Sequence, residues 1–200
     1  MRIARFTTGD EPAYGVVQGE LDEYGQPDED AIVLELRGDP LYSGIEPTGV
    51  QHRLADVRLL APVIPRSKIV AIGKNYAAHA QEMGGEVPLE PMIFLKPSTA
   101  VIGPGDPITL PEQSERVEHE AELAVVIGST AFHVSREDAM AHVAGYTIVN
   151  DVTTRDLVFR KDMKEIGTDW FRSKNAPGFL PTGPFLVPAQ FVDPSDLTIR

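Results

Sequence analysis

The chain has 200 residues, contains no cysteine and carries a formal net charge of −12. This acidic surplus would repel a phosphate backbone, so nucleic acid is not expected as a partner. Without cysteine there is no disulfide, no thiolate nucleophile and no cysteine-ligated metal, so oxygen or imidazole must hold any metal ion.

The N-terminal region, residues 1–65, is predicted to form a small, mostly β module. Its strand candidates are residues 1–6, 13–17 and 31–35. The two prolines in residues 60–67 disfavour helix, and we place the domain boundary there. The N-terminus lacks the apolar core and cleavage site of a signal peptide, and no apolar stretch is long enough to span a membrane. We therefore expect a cytoplasmic protein that does not bind a membrane.

The remaining residues, 66–200, are predicted to form a strand-rich domain with a few short helices. Strands are expected at residues 68–73, 91–96, 100–102, 117–128, 146–150, 185–187 and 197–200, and the strand at 68–73 is expected to be buried. Helices are expected at residues 75–83 and 154–165, and a capping-box pattern at Ser135 starts another that Gly145 ends. The fold class is therefore α+β with a largely antiparallel or mixed sheet. Because the chain stops at Arg200 inside a predicted strand, we expect that the folding unit is incomplete or that a partner supplies the rest.

The run VEHEAELAVVIG at residues 117–128 carries the strongest functional signal. Side chains alternate between the two faces of a strand, so Glu118, Glu120 and Glu122 share one face. Neighbouring glutamates there lie roughly 6.6 Å apart and repel each other unless water screens them or a cation binds between them. A divalent metal ion would remove that repulsion. The ordinary interpretation is a strand end that frays into solvent.

Asp151 follows a predicted strand and could complete a set of three carboxylates with Glu120 and Glu122. An oxygen-only set suits Mg²⁺ or Mn²⁺, with water and substrate in the remaining octahedral positions. Zinc would favour more histidine or thiolate. The alternative role for Asp151 is to cap the helix expected from Thr154.

Two further groups of residues could take part in chemistry. His79 and Glu82 are three residues apart on a predicted helix, where a carboxylate can raise the basicity of an imidazole and make it a general base. An ordinary surface pair is the alternative. The cations Lys96, Arg155 and Lys174 lie near the ends of predicted elements, where they could bind an anionic substrate or simply pair with the acidic surplus.

Five motifs in this order closely resemble the fumarylacetoacetate hydrolase family. They are IVAIGKNYAAH at residues 69–79, IFLKPS at 93–98, the glutamate run at 117–128, GYTIVNDVTTRD at 145–156 and WFRSK at 170–174. The resemblance covers the chain from about residue 68 to residue 200, and the N-terminal module is similar only in kind. It implies a mixed β-sheet roll of that family and a homodimer.

The resemblance also implies roles for the candidate residues. Glu120, Glu122 and Asp151 would bind Mg²⁺ or Mn²⁺. His79 with Glu82 would form a base dyad on a lid that orders over the substrate. Lys174, aligned through Trp170 and the run FLPTGP, would be the active-site lysine, and Arg155 with Lys96 and Lys174 would bind the substrate.

The sequence departs from the family pattern in three places. Val158 stands where many members have glutamine, and residues 175–178 replace a more polar run after the lysine. Both differences concern polar contacts to the distal part of the substrate. The family's chain also continues beyond the position of Arg200, through a substrate loop and closing strands, so the C-terminal part of the fold is expected to be absent.

The resemblance implies metal-dependent cleavage of a C–C bond in a small anionic 2-oxo or β-diketo acid. The reaction would be hydrolysis of an acylpyruvate or a fumarylacetoacetate-type substrate, or decarboxylation of oxaloacetate. On the same site, the alternative is an isomerase or tautomerase of 2-hydroxymuconate-type diacids. The alternative of another class is a non-catalytic binding module.

Overall fold

The computed structural model describes residues 1–9, 11–28, 30–76, 78, 88–158 and 168–199. Its strands are β1 (Arg2–Thr7), β2 (Ala13–Gln18), β3 (Ile32–Leu36), β4 (Pro47–Arg53), β5 (Arg58–Leu60), β6 (Ile69–Gly73), β7 (Met92–Lys96), β8 (Val101–Ile102), β9 (Val117–Glu118), β10 (Ala121–Ile127), β11 (Val143–Asn150), β12 (Thr153–Thr154) and β13 (Leu180–Pro188). Short α-helices span Pro40–Ser43, Arg155–Val158 and Trp170–Lys174, and 3-10 turns span Leu54–Asp56, Ser98–Ala100, Ala139–His142 and Ala189–Phe191. The predicted strand-rich α+β class is confirmed.

The main sheet joins the N-terminal and C-terminal parts of the chain. Its strands follow the order β10-β11-β13-β1-β2-β3-β4, with β5 paired to β1 and β8 paired to β13. The junction between the two parts is the antiparallel pair β1 and β13, where Ile3 lies opposite Leu186. A cluster of buried apolar side chains packs across this junction and comprises Ala4, Phe6, Val17, Ala31, Val33 and Phe185. The predicted boundary near residue 65 stays a prediction, and the regions on its two sides share one sheet and one core.

The strand predicted at residues 68–73 is present, but the prediction that it is buried is wrong. β6 pairs with β7 in a separate two-stranded sheet. Alternate side chains of β6 face outward, and Val70 and Ile72 are 51% and 44% exposed. The apolar run reflects β propensity and not burial on both faces.

The helix predicted from Ser135 to Gly145 is wrong. The hydroxyl of Ser135 accepts a bond from the Asp138 backbone N–H and donates to the Asp138 carboxylate, which closes a local turn ahead of the short 3-10 segment. Gly145 lies inside β11, where a Cβ atom would approach the Val187 carbonyl oxygen to 2.3 Å. This glycine therefore permits close pairing of β11 with β13 and does not end a helix.

Three other predicted elements differ from the structure or lie partly outside it. Residues 197–199 form no strand, and residue 200 lies outside the described residues. The helix predicted at 154–165 begins at Arg155, and residues 159–167 are not described. Most of the helix predicted at 75–83 also lies outside the described residues. Among the described helices, none has the length and apolarity needed to cross a bilayer.

Candidate metal centre

The candidate site forms where two paired strands are interrupted at the same level. The predicted strand at residues 117–128 is two strands, β9 and β10, separated by His119 and Glu120. Their partners, β12 and β11, are separated by Asp151 and Val152. Across the break, the Asp151 N–H donates to the Glu120 carbonyl at 2.9 Å, and the Glu120 N–H donates to the side-chain oxygen of Asn150 at 2.9 Å. These bonds hold Glu120 and Asp151 opposite each other.

The break brings together the three predicted metal ligands. Carboxylate oxygens of Glu120, Glu122 and Asp151 lie within 4.8 Å of one another. Asp151 is 2% exposed, whereas the two glutamates are half-buried. Three carboxylates without nitrogen or sulfur donors form the kind of site that hard cations such as Mg²⁺ and Mn²⁺ occupy. The residues present therefore fit a divalent metal ion.

Lys174 contacts two of these carboxylates. Its ammonium group donates to Glu120 at 2.8 Å, to Asp151 at 2.6 Å and to the Thr153 hydroxyl at 2.8 Å. An ammonium group has three N–H donors, so all of them are used within the protein. Lys174 is 6% exposed and cannot be an ordinary solvated surface cation.

The helix Trp170–Lys174 carries Lys174 into the site by docking on β6 and β7. The Trp170 ring packs edge-on against Phe94 with a centroid distance of 5.2 Å. A Cβ atom on Gly73 would approach the Trp170 ring to 2.3 Å. Gly73 therefore lets the indole lie directly against β6, which sets the position of the helix and of Lys174 at its end.

Lys96 lies behind Asp151. Its ammonium group donates to Asp151 at 2.6 Å and also to the backbone carbonyl of Lys174. The Lys96 side chain is 1% exposed, and burial lowers its pKa although the charge of Asp151 opposes the shift. Each oxygen of Asp151 thus accepts one lysine donor, and each keeps a second lone pair for a metal ion.

Arg155 is held between two glutamates at the outer side of the site. Its Nε donates to Glu118 at 2.8 Å, and its Nη2 donates to Glu120 at 2.8 Å. Glu118 also accepts from Arg116 Nε at 2.7 Å. The alternation predicts Glu118 on the same face as Glu120, but the strand break turns its carboxylate to the arginines and away from the three-carboxylate cluster.

Two uncharged side chains at the site were not predicted. Thr153 is fully buried, and its hydroxyl lies 3.1 Å from the Glu120 carboxylate as well as accepting from Lys174. Asn150 holds the Glu120 backbone as described above. Both belong to the run GYTIVNDVTTRD, but only the strand pairing shows that their polar atoms point at the glutamate.

The charges of the site shift the pKa values of its two glutamates in opposite directions. Burial, followed by the charges of Asp151 and Glu120, raises the pKa of Glu122 to about 7. Burial also acts to raise the pKa of Glu120, but the hydrogen bond and charge of Lys174, helped by Arg155, outweigh it and lower that pKa. The charged form of Glu122 is therefore disfavoured in the metal-free site, and a bound cation would stabilise it.

The segment before the predicted lid also reaches the site. The Tyr76 hydroxyl donates to the Ala121 carbonyl at 2.9 Å, and burial together with the charge of Glu122 raises its pKa. The predicted base dyad, His79 with Glu82, lies outside the described residues. Its roles stay predictions from the sequence.

Residues 68–200 match the family described as Fumarylacetoacetate (FAA) hydrolase C-terminal. The chain belongs to the fumarylacetoacetate hydrolase family. Residues 1–62 match the region described as Rv2993c-like, N-terminal. The resemblance drawn from the five motifs is therefore confirmed.

Relatives of this family member carry several activities. Protein Rv2993c of Mycobacterium tuberculosis is 43% identical over 202 residues, which cover 100% of this chain and 71% of that protein. The mitochondrial oxaloacetate tautomerase of Xenopus laevis is 44% identical over 153 residues, which cover 75% of this chain. The chain spans only 47% of the length of that enzyme.

Two solved structures are similar over nearly the whole chain. The 5-carboxymethyl-2-hydroxymuconate delta-isomerase from Mycobacterium smegmatis has a TM-score of 0.80 and 40% identity, with 98% of this chain and 69% of that chain covered. Maleylpyruvate hydrolase from Sphingobium sp. SYK-6, in complex with manganese(II) and pyruvate, has a TM-score of 0.66 and 29% identity, with 96% and 69% covered. The fold is thus shared with a delta-isomerase and with a hydrolase whose structure contains manganese(II).

Proposed function

We propose that this family member converts a small 2-oxo diacid by moving a proton at the carbon next to the 2-oxo group, as a tautomerase or isomerase. The observation that carries this proposal is the cluster of Glu120, Glu122 and Asp151 with two cations, Lys174 and Arg155, beside it. Such a site suits an oxygen-rich anion whose charge increases during the reaction. The named tautomerase and delta-isomerase relatives support the same chemistry.

The three carboxylates would hold Mg²⁺ or Mn²⁺. A divalent cation bound there would act as a Lewis acid for the carboxylate and 2-oxo oxygens of the substrate. The manganese found in maleylpyruvate hydrolase supports Mn²⁺ as one of the two candidates.

Lys174 would donate to a substrate oxygen where negative charge develops. All three of its N–H groups are engaged, so donation requires the exchange of one existing partner. The Thr153 hydroxyl is the neutral acceptor among the three and is therefore the weakest. Lys96, enclosed against Asp151 and the Lys174 backbone, would position these two residues and would not contact the substrate.

His79 supported by Glu82 would be the base that takes or returns the proton, as the resemblance implies. The distal carboxylate of the substrate would bind Arg155, whose side chain is 21% exposed. The substrate is therefore expected to carry two carboxylates, one next to its 2-oxo group and one at the distal end of its chain.

The test compares three reactions in one protein preparation with Mn²⁺ or Mg²⁺. Loss of enol absorbance of oxaloacetate reports tautomerisation, conversion of a 2-hydroxymuconate-type diacid reports isomerisation, and pyruvate release from an acylpyruvate reports cleavage. We expect metal-dependent turnover in the first or second assay, and we expect Asp151→Asn to abolish it because the variant loses a ligand and the partner of two lysines. Glu137→Gln, at an exposed position in a turn, is the matched control. Full activity of Asp151→Asn would contradict the assignment.

Cleavage of a C–C bond is the second candidate function. The maleylpyruvate hydrolase relative, which was crystallised with pyruvate, favours it. Stoichiometric pyruvate formation that depends on metal would establish cleavage, and release of CO₂ from oxaloacetate would identify decarboxylation. The non-catalytic alternative predicts no heat of Mg²⁺ or Mn²⁺ binding in calorimetry.

A homodimer is part of the same proposal, because the family resemblance implies it. Light scattering coupled to gel filtration tests the assembly state directly. A mass equal to one chain of 21.8 kDa would contradict the dimer.

A further inference from the structure

Glu118 is a charged residue that the proposed chemistry does not use. It lies next to the metal-ligand candidates in sequence, yet its carboxylate is absent from their cluster. One oxygen accepts from Arg116 Nε at 2.7 Å and lies 2.6 Å from Arg116 Nη2 in an ion pair, and the other accepts from Arg155 Nε at 2.8 Å. Glu118 pairs with Thr153 on the facing strand β12, and Thr153 lies two residues before Arg155 in the chain.

These bonds determine which edge of the Arg155 guanidinium faces the protein. The Nε and Nη2 groups of an arginine form one edge of a planar fork, and the Nη1 and Nη2 groups form another. Glu118 accepts from Nε and Glu120 accepts from Nη2, so the first edge is bonded to two different carboxylates. Among the described residues, no acceptor is bonded to Nη1, and the second edge is the one that can bind a carboxylate through two parallel bonds.

Without Glu118, the first edge of Arg155 would have a single acceptor residue. Both its N–H groups could then close on the Glu120 carboxylate, because an arginine fork binds one carboxylate in a bidentate manner. That movement would turn the second edge away from its present direction. Arg116 cannot replace Glu118, since it carries the same charge as Arg155.

We propose that Glu118 is a positioning residue that aims the free edge of Arg155 at the distal carboxylate of a 2-oxo diacid. The inference rests on the proposed function, because it needs a diacid bound at the metal centre. It makes Glu118 a determinant of specificity for diacids over monoacids.

The test uses two ligands that differ only at the distal end. 2-Oxopentanedioate and 2-oxopentanoate share the carboxylate and the 2-oxo group, and only the first has a second carboxylate. Calorimetry on the Mn²⁺-loaded protein gives the Kd of each ligand for the wild type, Glu118→Ala, Glu118→Gln and the control Glu115→Ala, whose side chain is exposed on the same segment.

We expect Glu118→Ala to weaken 2-oxopentanedioate about tenfold, the order of one misaligned charge-assisted contact, and to change 2-oxopentanoate by less than about twofold. Glu118→Gln should fall between the wild type and the alanine variant, because its amide oxygen still accepts from Nε. In turnover assays the same variants should raise KM for the diacid more than they lower kcat.

The outcomes distinguish failure of the positioning role of Glu118 from failure of the proposed function. Equal affinities for the diacid in wild type and both Glu118 variants would overturn the positioning role, and so would equal losses for the two ligands. Failure of the wild type to bind either ligand with Mn²⁺ would overturn the proposed function itself. If Glu118→Ala does not fold, the glutamine variant and its monoacid control decide the question.

Discussion

Replacement of Lys174 by methionine separates the structural role of its ammonium group from its proposed chemical role. The ammonium lies 2.6 Å from Asp151 and 2.8 Å from Glu120, and Asp151 is 2% exposed. Lys174→Met removes this charge but keeps an apolar stem of similar length. The metal-free variant therefore keeps the neighbouring carboxylates of Glu120 and Asp151 but lacks the ammonium group that pairs with both.

The expected cost follows from burial and from the remaining partner. Loss of one member of a buried ion pair typically costs about 3–5 kcal/mol, because the other charge stays uncompensated. Here Lys96 still donates to Asp151 at 2.6 Å, so that carboxylate keeps one cation. We therefore expect a loss of about 2–3 kcal/mol in the free energy of unfolding of the metal-free protein. For a chain of this size that corresponds to a fall in Tm of roughly 4–12 °C.

Urea and thermal unfolding with a chelator, and again with saturating Mn²⁺, measure this effect. Mn²⁺ should bind Lys174→Met at least as tightly as the wild type, since a competing positive charge is gone. The stability gap between variant and wild type should therefore shrink with Mn²⁺, whereas turnover stays low. Lys68→Met, at an exposed position, is the control. Two results would refute the reasoning. One is a loss of stability in metal-free Lys174→Met that is no larger than in Lys68→Met, and the other is a loss that Mn²⁺ leaves unchanged.

Two further changes test the electrostatics and the packing of the site. The pKa of Glu122 is raised to about 7 in the metal-free protein, so ionisation of this carboxyl destabilises the fold. This destabilisation is absent below the unfolded pKa near 4.5 and is complete above pH 7. Glu122→Gln should accordingly raise the free energy of unfolding at pH 8 by up to about 3 kcal/mol and leave it nearly unchanged at pH 4.5. Urea titration of the metal-free protein in chelator measures both values. A gain at pH 4.5 equal to that at pH 8 would contradict the charge explanation. Gly73→Ala would place a Cβ atom 2.3 Å from the Trp170 ring, so we expect a loss of about 1–3 kcal/mol and reduced turnover through displacement of Lys174. Unchanged turnover together with unchanged Tm would show that the indole can move without cost.

Much of the fold was predictable because strands leave local patterns. Strands β1, β2 and β3 of the N-terminal module lie within one residue of their predicted ends, since alternating apolar side chains between acidic loops specify them. Strands β4 and β5 of the same module were not predicted. Elements that depend on distant contacts were not predictable in this way. The sequence pattern predicts that Gly145 ends a helix, yet this residue lies in a strand where the Val187 backbone approaches closely.

The candidate site shows the same division. The spacing of Glu120 and Glu122, together with the motif around Asp151, was enough to predict which carboxylates meet, and the structure brings them within 4.8 Å. The partners of these carboxylates were not predictable from spacing. Lys96 and Arg155 looked alike as cations in the sequence, but one is enclosed behind Asp151 and the other is held at the rim by Glu118.

By itself the sequence determined the strand-rich class through local alternation, the family through five motifs in order, and the oxygen-only donor set of the candidate metal centre through residue types. Only the tertiary structure decided how the charges are arranged. Lys96 pairs with Asp151 across 55 residues, and Lys174 pairs with Glu120 across 54. The break between β9 and β10 turns Glu118 to Arg155, whereas an unbroken strand would have aligned it with Glu120 and Glu122. Contacts between residues so far apart in the sequence depend on how strands and helices pack, and packing is a property of the whole fold.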